Sequence, residues 1–582
     1  MDYYEWMRLP HVLLPLVLSA AVSLHAQGTD AASATPKRSA LNEQLFYELL
    51  LGELSALSDD AGAGFSLMLD AARKSNDPAV YQRAVEIALR ARSGVSALLA
   101  AKAWSQAIPD SREANRYVLN ILLGLNRTAE ALEPLKRSIA LAPANERSDT
   151  LWAIPATFAH TSDTRLAAST VQKALGNLLQ DRELGPTAWA VVGRMWLRAG
   201  DKAAALNAAD KGLSLDVHSE HAALLALSMI DPALPRAEQL VRLHLPEARA
   251  EFRMAYVKTL LGARRNDDAQ VELQSITINH PRHADAWLVE GLIELQFGRF
   301  ETAQQHLNHY LRLIDAAPDA QQHPEFRRGR TQAFFALAQI AQRQDDWQQA
   351  DTWLQRVDNP EDVLQAAIRR ATLMARQGNV DAALDLINSQ VERTPDDARL
   401  KRSAQVQLLR DHQLFDRARS LLETAQAQNP DDLDLLYDLA MVNERLGRLD
   451  DMERLLRQLI ARKPDDPQAY NALGYSLADR NLRLPEARQL ISQALQLAPN
   501  DPFITDSLAW VEFRSGNHAE ALRLLQNAFQ SRPDAEIAAH LGEVLWTMAR
   551  QSDAIEVFRQ GLMLNPANDT LTNTLKRLNV PL

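Results

Sequence analysis

Two groups of histidines are the first residues whose spacing could do chemistry. His306 and His309 stand three apart, so on a helix they share a face and could hold one metal ion. His218, Glu220 and His221 crowd a stretch that should be a turn between helices. Zinc needs three or four converging ligands, and neither group has an obvious further ligand nearby in sequence. Both read as packing or solvated histidines, and no metal site is expected. The chain has no cysteine, which removes thiolate metal sites, disulfides and cysteine nucleophiles. It has no Gly-rich phosphate loop, no HExxH zinc helix and no GxSxG elbow. No catalytic residue and no cofactor is expected, so the reading turns from catalysis to binding.

The elements that would position a binding surface are legible through proline. Pro395, Pro430, Pro464, Pro499, Pro533 and Pro566 each read as ending a helical stretch, at intervals of 35, 34, 35, 34 and 33 residues. Between them the residue types recur. Tyr470, Leu473 and Gly474 are followed by Ala487, Ile491 and Ala494; Leu508 and Ala509 by Ala521, Leu525 and Ala528; Leu541 and Gly542 by Ala554, Phe558 and Gly561. Small residues let the two helices of a hairpin approach closely, and the Ile, Leu or Phe fills the gap between hairpins. In period and residue pattern this resembles the tetratricopeptide repeat (TPR), a unit of two antiparallel helices.

The same grammar is looser upstream, at Leu439, Ala440 and Leu456; Ala418, Leu422 and Ala425; Ala371, Ala383 and Ile387; and, in a shortened unit, Ala338, Ala350 and Leu354. Trp287, Gly291, Ala303 and Leu307 make a further unit, as do Trp189, Gly193, Trp196 and Ala205, with degenerate hairpins around them. Ala131, Leu135 and Pro143, and the apolar runs 41–57 and 80–107, suggest three more. The expected fold is all-α: a right-handed superhelical solenoid of about ten to twelve TPR hairpins, its N-terminal units degenerate. Residues 569–578, with Lys576 and Arg577 near the end, read as a capping helix.

The composition agrees. Only 21 glycines in 582 residues argue against a strand-and-turn architecture, and 46% hydrophobic with 24% charged residues is that of an ordinary soluble protein. A net charge of -11 without a basic stripe argues against a nucleic-acid partner. The run from Val12 to Leu24 is almost wholly apolar and leads into Leu24-His25-Ala26 before Gln27. That length suits an export signal cleaved near Ala26 better than a membrane span, so no integral span is expected in the mature chain. Asp2 and Glu5 spoil the charge expected before such a run, and Met7-Arg8 makes a better start. Without a cysteine there is no lipid-accepting residue after the signal. The organisation is therefore 1–26 signal, 27–40 flexible lead, 41–320 degenerate repeats, 321–568 regular array, and 569–582 cap and tail.

Five side chains stand in registers that a hairpin does not need for its own close contacts. Tyr475, Trp510 and Glu543 follow the Leu-Gly pair or its equivalent, a register that points into the concave groove, and Phe513 and Trp546 lie about one helical turn farther on. Groove lining and packing between hairpins are the two readings for all five. Trp189, Trp287 and Tyr470 fill the aromatic slot of the motif and read as core. TPR domains that grip acidic chaperone C-termini resemble one another in carrying Asn after the first-helix Gly. Here Arg194, Leu292, Tyr475 and Glu543 stand there, so that clamp is not recognisable.

Over its whole length the chain resembles a proteobacterial family of exported TPR proteins. The carrying residues are Leu45-Phe46-Tyr47-Glu48-Leu49-Leu50, Asp77-Pro78 running into Arg83-Ala84 and Ile87-Ala88-Leu89, and Asp506-Ser507-Leu508-Ala509-Trp510. A pseudomonad member of that family is an outer-membrane lipoprotein that binds a periplasmic carboxy-terminal processing protease and helps deliver substrates to it. The resemblance implies a scaffold or adaptor with a protein partner, here in a soluble periplasmic form. The alternative is an assembly or export factor for an envelope polysaccharide or a secretion machine.

Overall fold

The computed structural model describes residues 41–58, 60–316 and 324–581. The expected signal, its cleavage point and the lead through Ala40 lie outside the described residues. Helix accounts for 78% of the described residues, in thirty-two α-helices and a few short 3-10 turns, and no strand occurs among them.

In the C-terminal array the local rules are visible at both ends of each first helix. Leu433–Arg445, Pro467–Asp479, Pro502–Arg514 and Ala535–Thr547 each begin after an aspartate, Asp432, Asp466, Asp501 or Asp534, whose carboxylate accepts a backbone N–H of the first turn. Such a cap satisfies an orphan donor and contributes about 1 kcal/mol. The helices stop in a left-handed residue, Gly447, Asn481, Gly516 or Ala549. The following amide then donates back to a carbonyl five residues earlier: Arg448 to Asn443, Leu482 to Leu477, Asn517 to Glu512, Arg550 to Leu545. This closure turns the chain sharply enough to return as an antiparallel second helix.

Proline behaves as expected at five of its six positions, standing two residues beyond the last helical residue at Pro430, Pro464, Pro499, Pro533 and Pro566. Pro395 departs from the expectation. It opens the helix Pro395–Asp411 instead of ending one, behind a capping box between Thr394 and Asp397. A fixed φ and a missing N–H suit the first helical turn as well as a stop.

The slots of the repeat are filled as the sequence implies. Ala487, Ile491, Ala494, Ala521, Leu525, Ala528, Ala554 and Phe558 are all essentially buried. A Cβ on Gly474 would lie 2.5 Å from Ile491 Cγ1, and one on Gly291 2.8 Å from Leu307 Cγ, so the small slot is a steric requirement. The last helix, Asp569–Leu578, covers this layer with Leu571, as a cap should.

The described residues divide into two compact units, one ending at Ala269 and the other starting at Gln270, a division inside the helix Asn266–Asn279. Pairing helices in chain order gives six hairpins in the first unit and eight in the second, with Ala250–Gly262 and Asn266–Asn279 at the division. The count exceeds the expected ten to twelve because the degenerate units carry little motif. Ala61–Ser75 pairs with Glu43–Leu57 without any proline signal, and one arm is split into Arg147–Trp152 and Ile154–Thr157. Pro155 sits at that break and removes a helical hydrogen bond.

Candidate functional site

Successive first helices stand side by side in the second unit, and the row they form curls. Arg445, at the end of Leu433–Arg445, comes within 3.8 Å of Asp569, at the start of the capping helix. Both ends of that pair are exposed, so it contributes little to stability, but the approach of these two helices, with three first helices between them in the row, shows that the row is concave.

At the centre of the curve is a polar cluster built by three consecutive first helices. His540 Nδ1 donates to Asp506, 2.9 Å from each carboxylate oxygen, and His540 Nε2 lies 3.3 Å from the Tyr475 hydroxyl. Trp510 stacks on the imidazole with ring centroids 4.2 Å apart and donates its indole N–H to Asp479 at 3.3 Å. Phe513 packs against Trp510 at 5.2 Å. Asp506 and His540 are one repeat apart in sequence, which is how helices of neighbouring hairpins bring them together.

The structure treats the five sequence candidates unequally. Tyr475, Trp510 and Phe513 come together around His540. Trp510 is only 4% exposed, which makes it a packing residue of the array. Glu543 is also 4% exposed and is held by Arg577 of the capping helix. Trp546 packs against the core of the last hairpins and makes no ring contact with the other three. Tyr475 and Phe513 are half-buried on the concave face.

Sequence reasoning missed acids carried by these first helices. Asp438, Glu444 and Glu536 are half-buried, and their carboxylates make no hydrogen bond or ion pair among the described residues. Burial holds all three above the usual carboxylate range. Tyr475 is pushed well up, first by burial and then by the surrounding Glu536, Asp479, Asp506 and Glu444. Among the described residues these carboxylates are held by no hydrogen bond or ion pair, and the cations Arg410, Arg445, Arg480 and His540 act on them only through space. The signal that could have found one of them is register, since Glu444 stands three residues before Gly447 as Phe513 stands three before Gly516 and Trp546 three before Ala549.

His540 makes this cluster pH-sensitive. Burial alone disfavours the imidazolium, but Asp506, Glu536 and Glu543 outweigh it and hold His540 above its ordinary value. A raised histidine contributes stability that is complete below about pH 6.5 and is lost as pH rises through the folded-state value. Raised carboxylates act in the same sense, because the folded state favours their protonated forms as pH falls from neutral. The second unit is therefore expected to melt at lower temperature at about pH 8 than at about pH 6. His540→Gln, which cannot ionise, should flatten that slope in a calorimetric series; an unchanged slope would contradict the assignment.

The histidine groups weighed for metal binding each serve separate contacts. His306 and His309 both pack on Trp287, with centroids 5.1 and 4.4 Å away. His218 pairs with Glu247 at 3.0 Å, Glu220 accepts two bonds from Arg249, and His221 meets the Thr187 hydroxyl at 3.0 Å.

Comparison with known proteins places repeats on much of this architecture. Residues 256–320, 453–502 and 507–569 match one tetratricopeptide repeat model, and residues 409–474 match a second. These stretches are tetratricopeptide repeats, and the groove is built from them. The chain is 36% identical over 246 residues to the TPR repeat-containing protein PA4667 of Pseudomonas aeruginosa, which covers 42% of each chain. It is 24% identical over 173 residues to the human protein O-mannosyl-transferase TMTC1, spanning 19% of that protein. The chain thus spans less than half the length of these relatives. Among solved structures, a tetratricopeptide repeat protein of Parabacteroides merdae matches 43% of this chain and 99% of its own at 15% identity and a TM-score of 0.34. A thermophilic TPR protein of Thermus thermophilus matches 38% of this chain and all of its own at 21% identity and a TM-score of 0.26.

Proposed function

We propose that this chain is a non-enzymatic docking scaffold of the periplasm. Its C-terminal concave groove holds a lysine- or arginine-bearing segment of a protein partner, and that partner is a carboxy-terminal processing protease to which the scaffold brings substrates. Tetratricopeptide repeats imply protein partners, and no described helix is long and apolar enough to cross a membrane. The observation that carries the docking reading is the pair of half-buried carboxylates of Glu444 and Glu536 around Tyr475, with Asp438 on the same first helix as Glu444. Leaving charge partly desolvated and unpaired is costly, and a cation from a partner is what removes that cost. The protease and the compartment rest on the resemblance carried by the N-terminal and Asp506–Trp510 motifs, on the kinship to the Pseudomonas repeat protein, and on the apolar run before Gln27.

The test is purification of the tagged chain from envelope extracts. The expected result is a mature N-terminus at Gln27 or a close neighbour, a co-purifying carboxy-terminal processing protease, and faster substrate cleavage by that protease when the purified scaffold is added. Intact chain in the cytoplasm would overturn the compartment. Recovery of polysaccharide-export or secretion subunits in place of a protease would replace the adaptor role with assembly.

A further inference from the structure

The first unit carries a cation in the register where the second unit carries Tyr475 and Trp510. In the helix Gly185–Arg198 the turn closes through the Asp201 amide on the Trp196 carbonyl, and Arg194 precedes Trp196 by two. Tyr475 stands in the same relation to Leu477, and Trp510 to Glu512. Arg194 thus occupies the groove-facing position of its own first helix.

The guanidinium lies over the Trp152 ring, with Cζ 4.3 Å from the centroid, and it has no hydrogen-bond or ion-pair partner among the described residues. His221 lies against the same indole, with centroids 4.3 Å apart and planes 34° from parallel. The three side chains come from Arg147–Trp152, Gly185–Arg198 and Glu220–Leu227, the first-arm helices of three successive hairpins. All three are half-buried. Burial pulls Arg194 below its ordinary value with no carboxylate offsetting it, and pulls His221 down despite Glu220 and Asp149. Glu220 is already clamped by Arg249, and Asp149 is exposed.

A neutral His221 that accepts the Thr187 hydroxyl proton at Nδ1 carries its own proton on Nε2. A planar five-donor fork over an indole, engaged by no carboxylate among the described residues, matches the two oxygens of a carboxylate. A phosphate would also fit the fork, but the array's partners are proteins, whose chains present carboxylates at acidic side chains and at the C-terminus.

We propose that Arg194, held over the Trp152 indole against which His221 also packs, is a receiving site for a carboxylate presented by a protein partner. The site is independent of the C-terminal groove, so either can fail without the other.

The test uses the full chain and a fluorescein-labelled ten-residue alanine- and leucine-rich peptide in four forms. These are a free C-terminal carboxylate, a C-terminal amide, and amides with a central Glu or a central Gln. By fluorescence anisotropy at least one carboxylate form should bind about tenfold or more tightly than its neutral counterpart. Binding by the free acid identifies a chain terminus as the source, and binding by the Glu peptide identifies a side chain. Arg194→Gln should abolish that preference while keeping the wild-type melting curve, and Arg194→Lys, which keeps the charge but lacks the planar fork, should restore only part of it. Equal binding of all four forms by the wild-type chain overturns the proposal. So does a carboxylate preference that survives Arg194→Gln. The peptide comparison on the wild-type chain decides the matter even if the Arg194 variants fold poorly.

Discussion

Gly542→Leu is expected to unfold the last hairpin while leaving the first unit intact. A Cβ at this position would sit 2.6 Å from Phe558 Cδ1 and Cζ, and Phe558 is fully buried in the second helix of the same hairpin. The ring cannot swing away, because Ala521, Leu525, Ile537 and Leu571 belong to the same core. Overpacking of this kind costs roughly 1 to 3 kcal/mol or more. Gly474→Leu should behave similarly, since a Cβ there meets Ile491 at 2.5 Å and the Ala487 carbonyl at 3.0 Å. Because each hairpin touches mainly its neighbours, hydrogen exchange should report lost protection in Ala535–Thr547 and Gln551–Leu564, with hairpins before residue 269 still protected. Pairing Gly542→Leu with Phe558→Ala should recover part of the loss. Uniform loss of protection along the chain would contradict a repeat array with local coupling.

The second large effect is expected in binding. The triple variant Asp438→Asn, Glu444→Gln, Glu536→Gln removes three charges without changing side-chain shape. Each carboxylate that meets a cation in the complex is worth about 1.5 to 3 kcal/mol, so losing all three should weaken partner binding by about a hundredfold or more. Stability should move the other way. A carboxyl held above its usual range by burial destabilises the folded state at neutral pH, and an amide carries no such charge. At about pH 7.5 the variant is expected to melt no lower than wild type, relief of the three buried carboxylates exceeding the loss of Glu536's support for the His540 imidazolium. A packing role for these residues would produce the reverse, with stability falling first and affinity following it.

How much of this was legible in the sequence depends on what the period encodes. The slot residues Ala487, Ile491 and Ala494 and their counterparts recur because every hairpin must solve the same packing problem, so a single chain displays its own alignment. Where that problem is solved differently, as in the split arm at Pro155 or the glycine-rich pairing of Gly52 and Gly64, the period fades and hairpins go uncounted. Proline spacing misread Pro395, since a proline near a helix boundary marks its start as readily as its end. The groove was half legible. Register brought Tyr475, Trp510 and Phe513 to one place, but it could not tell that the curvature of the row would bury Trp510 against His540 or turn Glu543 toward Arg577. The pairing of His540 with Asp506 escaped notice because it lies across two hairpins, Asp506 being read only as part of a motif, and Arg194 was noticed only as the residue that breaks a chaperone-type clamp.

The central claim is that the C-terminal groove docks a basic segment of a protein partner, and affinity and stability measured on the same preparations of one variant test it most directly. Wild-type chain and the Asp438, Glu444, Glu536 triple amide variant would be titrated calorimetrically with the partner captured from envelope extracts, and each preparation melted alongside. The account predicts that the variant loses the partner by about a hundredfold or more while melting no lower than wild type. Undiminished affinity, or affinity lost only in step with a lowered melting temperature, would contradict it.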